Sequence, residues 1–72
     1  MPIRLSGKDI VRALTREGWT VQRVSGSHHV MRHPNGQHVS IPVHGNRPLP
    51  AGTLASICRT VGLTVSQLRD LL

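Results

Sequence analysis

The sequence is almost without aromatic residues: Trp19 is the only one, and Phe and Tyr are absent. Domains of the RRM and OB types read single-stranded nucleic acid by stacking bases on several aromatic side chains. The sequence therefore excludes a stacking platform of that kind. Trp19 directly follows a glycine that should stop a helix, so we predict that it packs between this helix and a sheet.

Cysteine is equally scarce. Cys58 is alone, which excludes an internal disulfide, and its place on the apolar stripe of a predicted helix indicates a buried thiol. Five histidines raise the question of metal binding, but the sequence has no thiol pair, no His-X-X-X-His helix and few carboxylates. We therefore expect no metal site and no cofactor.

Long apolar runs are also missing. No stretch approaches the roughly 18 apolar residues of a membrane span, and the first residues lack the apolar core of a signal peptide. We expect a cytoplasmic protein that does not enter a membrane. At 72 residues, the chain should form a single domain, residues 1–72, with a small core and marginal stability.

Acidic residues are few. Three Asp and Glu stand against nine Lys and Arg, which gives a formal net charge of +6 and a sequence pI of about 11.8. A domain this small and basic usually binds a polyanion. Nucleic acid is the first candidate and an acidic protein the second, whereas a membrane surface would require an aromatic-rich apolar helix face.

The first predicted element is a helix from about Gly7 to Glu17. Ser6 supplies an N-cap with Asp9 three residues later, apolar residues follow at helical spacing, and Gly18 supplies a stop. Basic residues recur every four positions and form a stripe beside the apolar face: Lys8, Arg12 and Arg16. This stripe is either a solvated surface or a row of phosphate contacts.

Three strands are predicted next, over Trp19–Val24, His28–Arg32 and Gln37–Ile41. These segments are rich in β-branched residues. The turn His33-Pro34-Asn35-Gly36 has the Pro and Asn-Gly chemistry of tight hairpins. The strands should therefore pair as one antiparallel meander.

Two more helices are predicted after the proline-rich loop Pro42–Pro50. Apolar residues at i, i+3, i+4 and i+7 indicate a helix from Pro50 to Gly62, and Thr64 with Gln67 forms a capping box for a short third helix. The predicted fold is α+β in the order α-β-β-β-α-α. Its three-stranded antiparallel sheet should have helices packed on one face, leaving the other face or an edge free.

The turn between the first two strands carries the most reactive groups. Ser25-Gly26-Ser27-His28-His29 places adjacent imidazoles after small residues. Imidazole has an unperturbed pKa of about 6.5, so it exchanges protons near neutrality, as a metal-free nuclease requires. A phosphate or a backbone can come close because Gly26 has no Cβ.

Short motifs are distributed in order over nearly the whole length: Gly18-Trp19, Gly26-Ser27-His28, Pro34 with Gly36, Ile41-Pro42 with His44, Gly52-Thr53-Leu54 with Ile57, and Gly62-Leu63. With this ordered set, the chain resembles the HicA family, small toxins of bacterial and archaeal toxin–antitoxin pairs that are described as mRNA interferases. The resemblance implies a fold similar to double-stranded-RNA-binding domains, with a sheet backed by helices.

The resemblance also implies an endoribonuclease that depends on the histidine after Gly-Ser, here His28, and a HicB-type antitoxin that covers this residue. We expect a monomer when free and a hetero-oligomer with the antitoxin. His28 would act as general base on a ribose 2′-hydroxyl. The cations expected to contact RNA are Lys8, Arg12, Arg16, Arg23 and Arg32, of which Arg23, Arg32 and Lys8 are candidates to stabilise the phosphorane.

Structural roles are also considered for Ser27 and for the other histidines. Ser27 is a nucleophile or, more simply, a turn-capping hydroxyl. His44 lies in a loop and either protonates the leaving group, contacts substrate or orders the loop. His29 should point to the opposite side of its strand and be structural or antitoxin-facing. His33 and His38 are expected to be solvated.

Two other functions fit the same sequence. A non-catalytic RNA-binding module of similar shape would use the basic surface without needing His28. An inactive protein that only titrates an acidic partner would show no salt-dependent RNA binding.

Overall fold

The computed structural model describes residues 4–72. In chain order the elements are α1 (Gly7–Arg16), β1 (Thr20–Ser25), β2 (His28–Arg32), β3 (His38–Pro42), α2 (Ala51–Val61) and α3 (Val65–Asp70). The predicted α+β class and the order α-β-β-β-α-α are confirmed. Among these residues, no helix has the length and apolar character needed to cross a membrane.

Helix α1 begins with a capping box. The Ser6 hydroxyl accepts a hydrogen bond from the Asp9 N–H at 3.2 Å, and the Asp9 carboxylate accepts one from the Ser6 N–H at 3.0 Å. The sequence predicted this N-terminus from the spacing of the two residues. The helix ends at Arg16, and Gly18 follows with a φ of +91°, which favours glycine.

The strands form an antiparallel sheet in the order β1-β2-β3. At one end of the sheet, His28 lies opposite Ser25 on β1 and Pro42 on β3. The β1–β2 register shifts between Val21 and Arg23. Gln22 is therefore an extra residue on β1, a β-bulge.

The helices pack on one face of the sheet, as predicted. Met31 and Ile41 are completely buried there. The remaining core residues come from the helices, the strands and the segments between them: Leu5, Ile10, Ala13, Leu14, Trp19, Val39, Leu54, Ile57 and Leu68.

The opposite face of the sheet is not covered by any helix of the described residues. His28 and Arg32 are exposed on it, and Val30 is half-buried. The strand alternation and the pairing assign nine residues to this surface, which we call the open face: Thr20, Arg23, Ser25, His28, Val30, Arg32, His38, Ser40 and Pro42.

Strand β3 begins and ends one residue later than predicted, at His38 and Pro42. The reason is that Gln37 belongs to the turn. Its carbonyl accepts a hydrogen bond from the His33 N–H at 3.0 Å, and its own N–H donates to the Asn35 side chain at 2.9 Å. Such a side-chain bond to nearby backbone is what Asn contributes to turns.

The prediction that His33 is solvated is wrong. Its ring centroid lies 5.2 Å from that of Trp19, with the rings tilted by 56°. Its Nδ1 accepts a hydrogen bond from the Asn35 N–H at 3.2 Å. Trp19 is 3% exposed, so its predicted packing role is confirmed, and His33 covers its outer side.

Candidate functional site

His28 is the first residue of β2 and is exposed to solvent. In the turn before it, φ is positive at Gly26, at +58°, and not at Ser27. This is the pattern of a type II′ hairpin turn, which has glycine at its first central position. A Cβ built on Gly26 would meet no heavy atom within 4 Å, so a substrate can approach the backbone beside His28.

His28 and His29 lie on opposite sides of the sheet, as the alternation predicts. His29 pairs with the buried Ile41 and is half-buried on the helix side. Its Nδ1 is enclosed and has no hydrogen-bond partner among residues 4–72. Of the two imidazoles, only that of His28 is presented on the open face, which favours His28 as the residue that meets a ligand there.

Arg23 is the cation of the open face nearest to His28 in the strand register. Arg23 pairs with Val30, and Ser25 pairs with His28. Arg23 and His28 are thus diagonal neighbours, whose separation is typically about 7–8 Å. Arg32 is at the far end of β2, about 13 Å from His28 at the usual rise of a strand. The structure therefore brings Arg23 to His28 and leaves Arg32 at a distance.

A shallow groove of about 410 Å³ runs over the open face, lined by Gln22, Arg23, Val30 and His38. The bulge at Gln22 creates one wall, because the two residues of a bulge face the same partner residue. His38 is exposed, as expected, but it also lines this groove. Only the alternation along β3 could have indicated that role from the sequence.

The open face carries positive charge, and the strands that form it contain no acidic residue. The three acidic residues are Asp9, Glu17 and Asp70, so none lies between residues 18 and 69. Asp9 caps α1 and also lies 3.5 Å from the Arg12 guanidinium. The residues assigned to the open face thus include two arginines and no carboxylate, a charge distribution that suits a phosphate backbone.

The basic stripe of α1 does not continue the open face. Lys8, Arg12 and Arg16 are all exposed, but α1 packs on the other side of the sheet. Arg12 is paired with Asp9, and Arg16 donates a hydrogen bond to the Leu71 carbonyl. The structure thus separates Arg12 and Arg16 from His28. A single phosphate could not contact His28 and either of these arginines at the same time.

Lys8 is different because its end of the helix is held close to His28. A Cβ on the adjacent Gly7 would lie 2.1 Å from the Pro42 carbonyl oxygen, and Pro42 is the residue opposite His28. The N-terminus of α1 therefore contacts the end of the sheet that carries His28. Lys8 belongs to that end of the molecule, whereas Arg16 lies two turns further along the helix.

Ser27 and His44 lie at the same end of the sheet. The Ser27 carbonyl accepts a hydrogen bond from the Val43 N–H at 2.6 Å, so Ser27 holds the start of the following loop through its backbone. His44 is the next residue and is exposed. Arg47 lies in the same loop and was not predicted as a site residue. The sequence feature that could have indicated it is that Arg47 is the only Lys or Arg between residues 42 and 50.

No group of three or more His, Cys, Asp or Glu side chains in the described residues is arranged to hold a metal ion. The thiol of Cys58 is half-buried on α2, and this burial raises its pKa. The thiolate is therefore disfavoured there. At the open face, imidazole can transfer a proton and arginine can stabilise negative charge.

A comparison with protein-family models finds a match over residues 7–63 to the model described as the HicA toxin of bacterial toxin–antitoxin systems. The matched range includes α1, the whole sheet and α2. No curated protein matches the sequence.

Proposed function

Because the chain belongs to the HicA toxin family of bacterial toxin–antitoxin systems, we propose that it is an endoribonuclease that cleaves mRNA without a metal ion. The observation that carries this proposal is the position of His28, exposed at an open glycine turn and on the same face as Arg23. The family match supports a toxin with an antitoxin partner, and the geometry supports the chemistry.

In the proposed reaction, the neutral imidazole of His28 takes the proton from a ribose 2′-hydroxyl. The 2′-oxygen then attacks the adjacent phosphorus, and the bond from phosphorus to the 5′-oxygen breaks. The products are a 2′,3′-cyclic phosphate and a 5′-hydroxyl, whose oxygen takes up a proton from His44 or from water. A general base of this kind contributes roughly 10²–10⁴-fold to the rate.

Arg23 is the proposed electrostatic partner of His28. Negative charge accumulates on the phosphorane oxygens in the transition state, and a guanidinium positioned beside them stabilises that charge more than it stabilises the substrate. Arg23 has no ion pair among residues 4–72, so its charge is available to a ligand. Arg32 and Lys8 are proposed to hold neighbouring phosphates.

The antitoxin is proposed to be of the HicB type and to neutralise the toxin by covering the open face. A surface that is rich in cations and carries a half-buried Val30 would be matched by an acidic protein with a small apolar contact. Binding there would remove His28 from solvent. The antitoxin and RNA would then compete for the same surface, and added antitoxin should displace RNA.

The test is a single-turnover cleavage assay on a structured mRNA, with His28→Ala compared with the parent. His38→Ala is a matched control, because it removes another exposed imidazole of the same face. We expect His28→Ala to lose roughly 10²–10⁴-fold in rate. His38→Ala, which changes the groove lining, should weaken RNA binding but keep nearly the parent rate at saturating protein. Mass analysis of the parent's products should find the cyclic phosphate, in the presence of EDTA as in its absence.

The non-catalytic RNA-binding module remains the second candidate, because the basic groove on the open face would serve binding alone. It predicts that the purified parent binds RNA but releases no cyclic phosphate. It also predicts that His28→Ala arrests growth as strongly as the parent. Circular dichroism of each variant shows whether a loss of activity reflects chemistry or unfolding.

A further inference from the structure

A second groove, of about 330 Å³, lies at the edge of the sheet beside His28. It is formed by the loop after β3 and by the first turn of α2, and its lining includes Pro42, His44, Arg47, Pro48, Leu49 and Thr53. Ligand pockets in proteins usually span about 300–1,000 Å³. This groove is at the small end of that range, which suits one nucleotide rather than a longer segment.

The groove is held in shape by its own backbone contacts. The Val43 N–H donates to the Ser27 carbonyl, the Arg47 N–H closes a turn on the His44 carbonyl at 3.1 Å, and the Leu49 N–H donates to the Leu5 carbonyl at 2.8 Å. A β-bridge joins Ser6 to Pro48. A ligand would therefore bind a preformed loop, without the entropic cost of ordering it.

The groove combines cationic and apolar surfaces. Arg47 and His44 are exposed on one part of the wall, and prolines with the half-buried Leu49 form another. Among residues 4–72, no ion pair involves the Arg47 guanidinium. A planar guanidinium binds phosphate with two parallel hydrogen bonds, and the proline rings offer an apolar surface to a base.

The groove is also continuous with the proposed active site. Pro42 lines it and is the cross-strand partner of His28. The Cα atoms of such pairs are about 4.5–5.5 Å apart. A strand of RNA with one phosphate at His28 therefore reaches the groove with its next nucleotide.

We propose that this groove binds the nucleotide next to the scissile phosphate, with Arg47 contacting a phosphate and the proline wall contacting the base. This inference rests on the proposed ribonuclease function, and it adds a binding residue, Arg47, that no sequence motif indicated. Thr53 also lines the groove, and its hydroxyl can bond a base edge or a phosphate oxygen.

The experiment compares Arg47→Ala with Arg59→Ala, each in the His28→Ala background so that RNA stays intact. Arg59 is exposed on the last turns of α2 and is not among the residues that line either groove on the His28 side. The two variants lose the same charge. Binding of a short single-stranded RNA is measured by fluorescence anisotropy at several salt concentrations, and cleavage by the His28 form is measured in parallel.

We expect Arg47→Ala to weaken binding by about tenfold, the scale of a lost bond to a charged group. The logarithmic salt slope should fall in magnitude by about 0.7, the value for one phosphate contact in single strands. Arg59→Ala should change neither. In the His28 form, Arg47→Ala should raise KM more than it lowers kcat, because the lost contact is already made in the bound substrate.

Equal losses of RNA affinity in the two variants, or no loss in Arg47→Ala, would overturn the proposal that this groove binds RNA. The ribonuclease proposal would be unaffected. A parent that binds RNA without cleaving it would instead remove the ribonuclease proposal, while the comparison of the two arginines would still decide whether RNA occupies the groove. A parent that binds no RNA at any salt concentration would overturn both.

Discussion

Replacing Gly7 with Ala should destabilise this protein, although the same change at an open helix position is stabilising. Gly7 is the first residue of α1 and is buried. A Cβ there would lie 2.1 Å from the Pro42 carbonyl oxygen and 3.0 Å from the Val43 Cα. Both are backbone atoms, so no side-chain rotation can relieve the clash, and α1 would have to move away from β3.

Two opposing effects set the size of the change. Ala stabilises a helix relative to Gly by up to about 1 kcal/mol, whereas overpacking a well-packed site costs about 1–3 kcal/mol. Because the crowded atoms are backbone, we expect the upper end of that cost and a net loss of about 2 kcal/mol. In a domain of this size, such a loss lowers Tm by roughly 8–16 °C.

Thermal unfolding followed by circular dichroism, with urea titration at 25 °C, measures the change. Gly52→Ala is the matched control, because Gly52 is the second residue of α2 and a Cβ there would meet nothing within 4 Å. That variant should be unchanged or more stable by up to about 1 kcal/mol. A Gly7→Ala variant that unfolds at or above the parent's temperature would contradict this expectation.

Two further outcomes are expected from the positions of particular side chains. Arg23→Gln should lower the single-turnover cleavage rate by about tenfold, which is less than the loss of a charge-stabilising donor causes in a fully enclosed active site. Arg32→Gln should weaken RNA binding without changing the rate. Equal rates for the two variants would show that Arg23 does not stabilise the transition state. Cys58 should react slowly with a thiol reagent at neutral pH, because burial raises its pKa, and its rate should rise at higher pH than that of an unfolded control; a folded protein that reacts as fast as the control contradicts this.

Local signals account for the elements that the sequence predicted well. The capping boxes at Ser6 and Thr64 and the glycine after each of the first two helices act within a few residues. Such signals are readable because both partners lie close together along the chain. The elements and their order therefore follow from short-range chemistry.

Contacts between distant segments account for what the sequence did not predict. The approach of Gly7 to Pro42 joins residues 35 positions apart, and His33, which follows β2, covers Trp19, which precedes β1. The choice between Arg23 and Arg32 was also open, because strict alternation from Val21 would have placed Arg23 on the helix side. Only the pairing of β1 with β2 reveals the register shift, which places Arg23 on the open face instead.

Because Gln22 is an extra residue on β1, the surface that this domain presents to a ligand depends on strand length as well as on amino-acid composition. A chain shortened by that single glutamine would keep the same net charge, the same histidines and the same hydrophobic content. Its first strand would pair with β2 without a bulge and would keep the guanidinium on the open face, but the wall that Gln22 contributes to the groove beside Arg23 would be lost. Homologues that differ in length at this point would then differ in the shape of the groove beside the imidazole, even where every charged residue is retained.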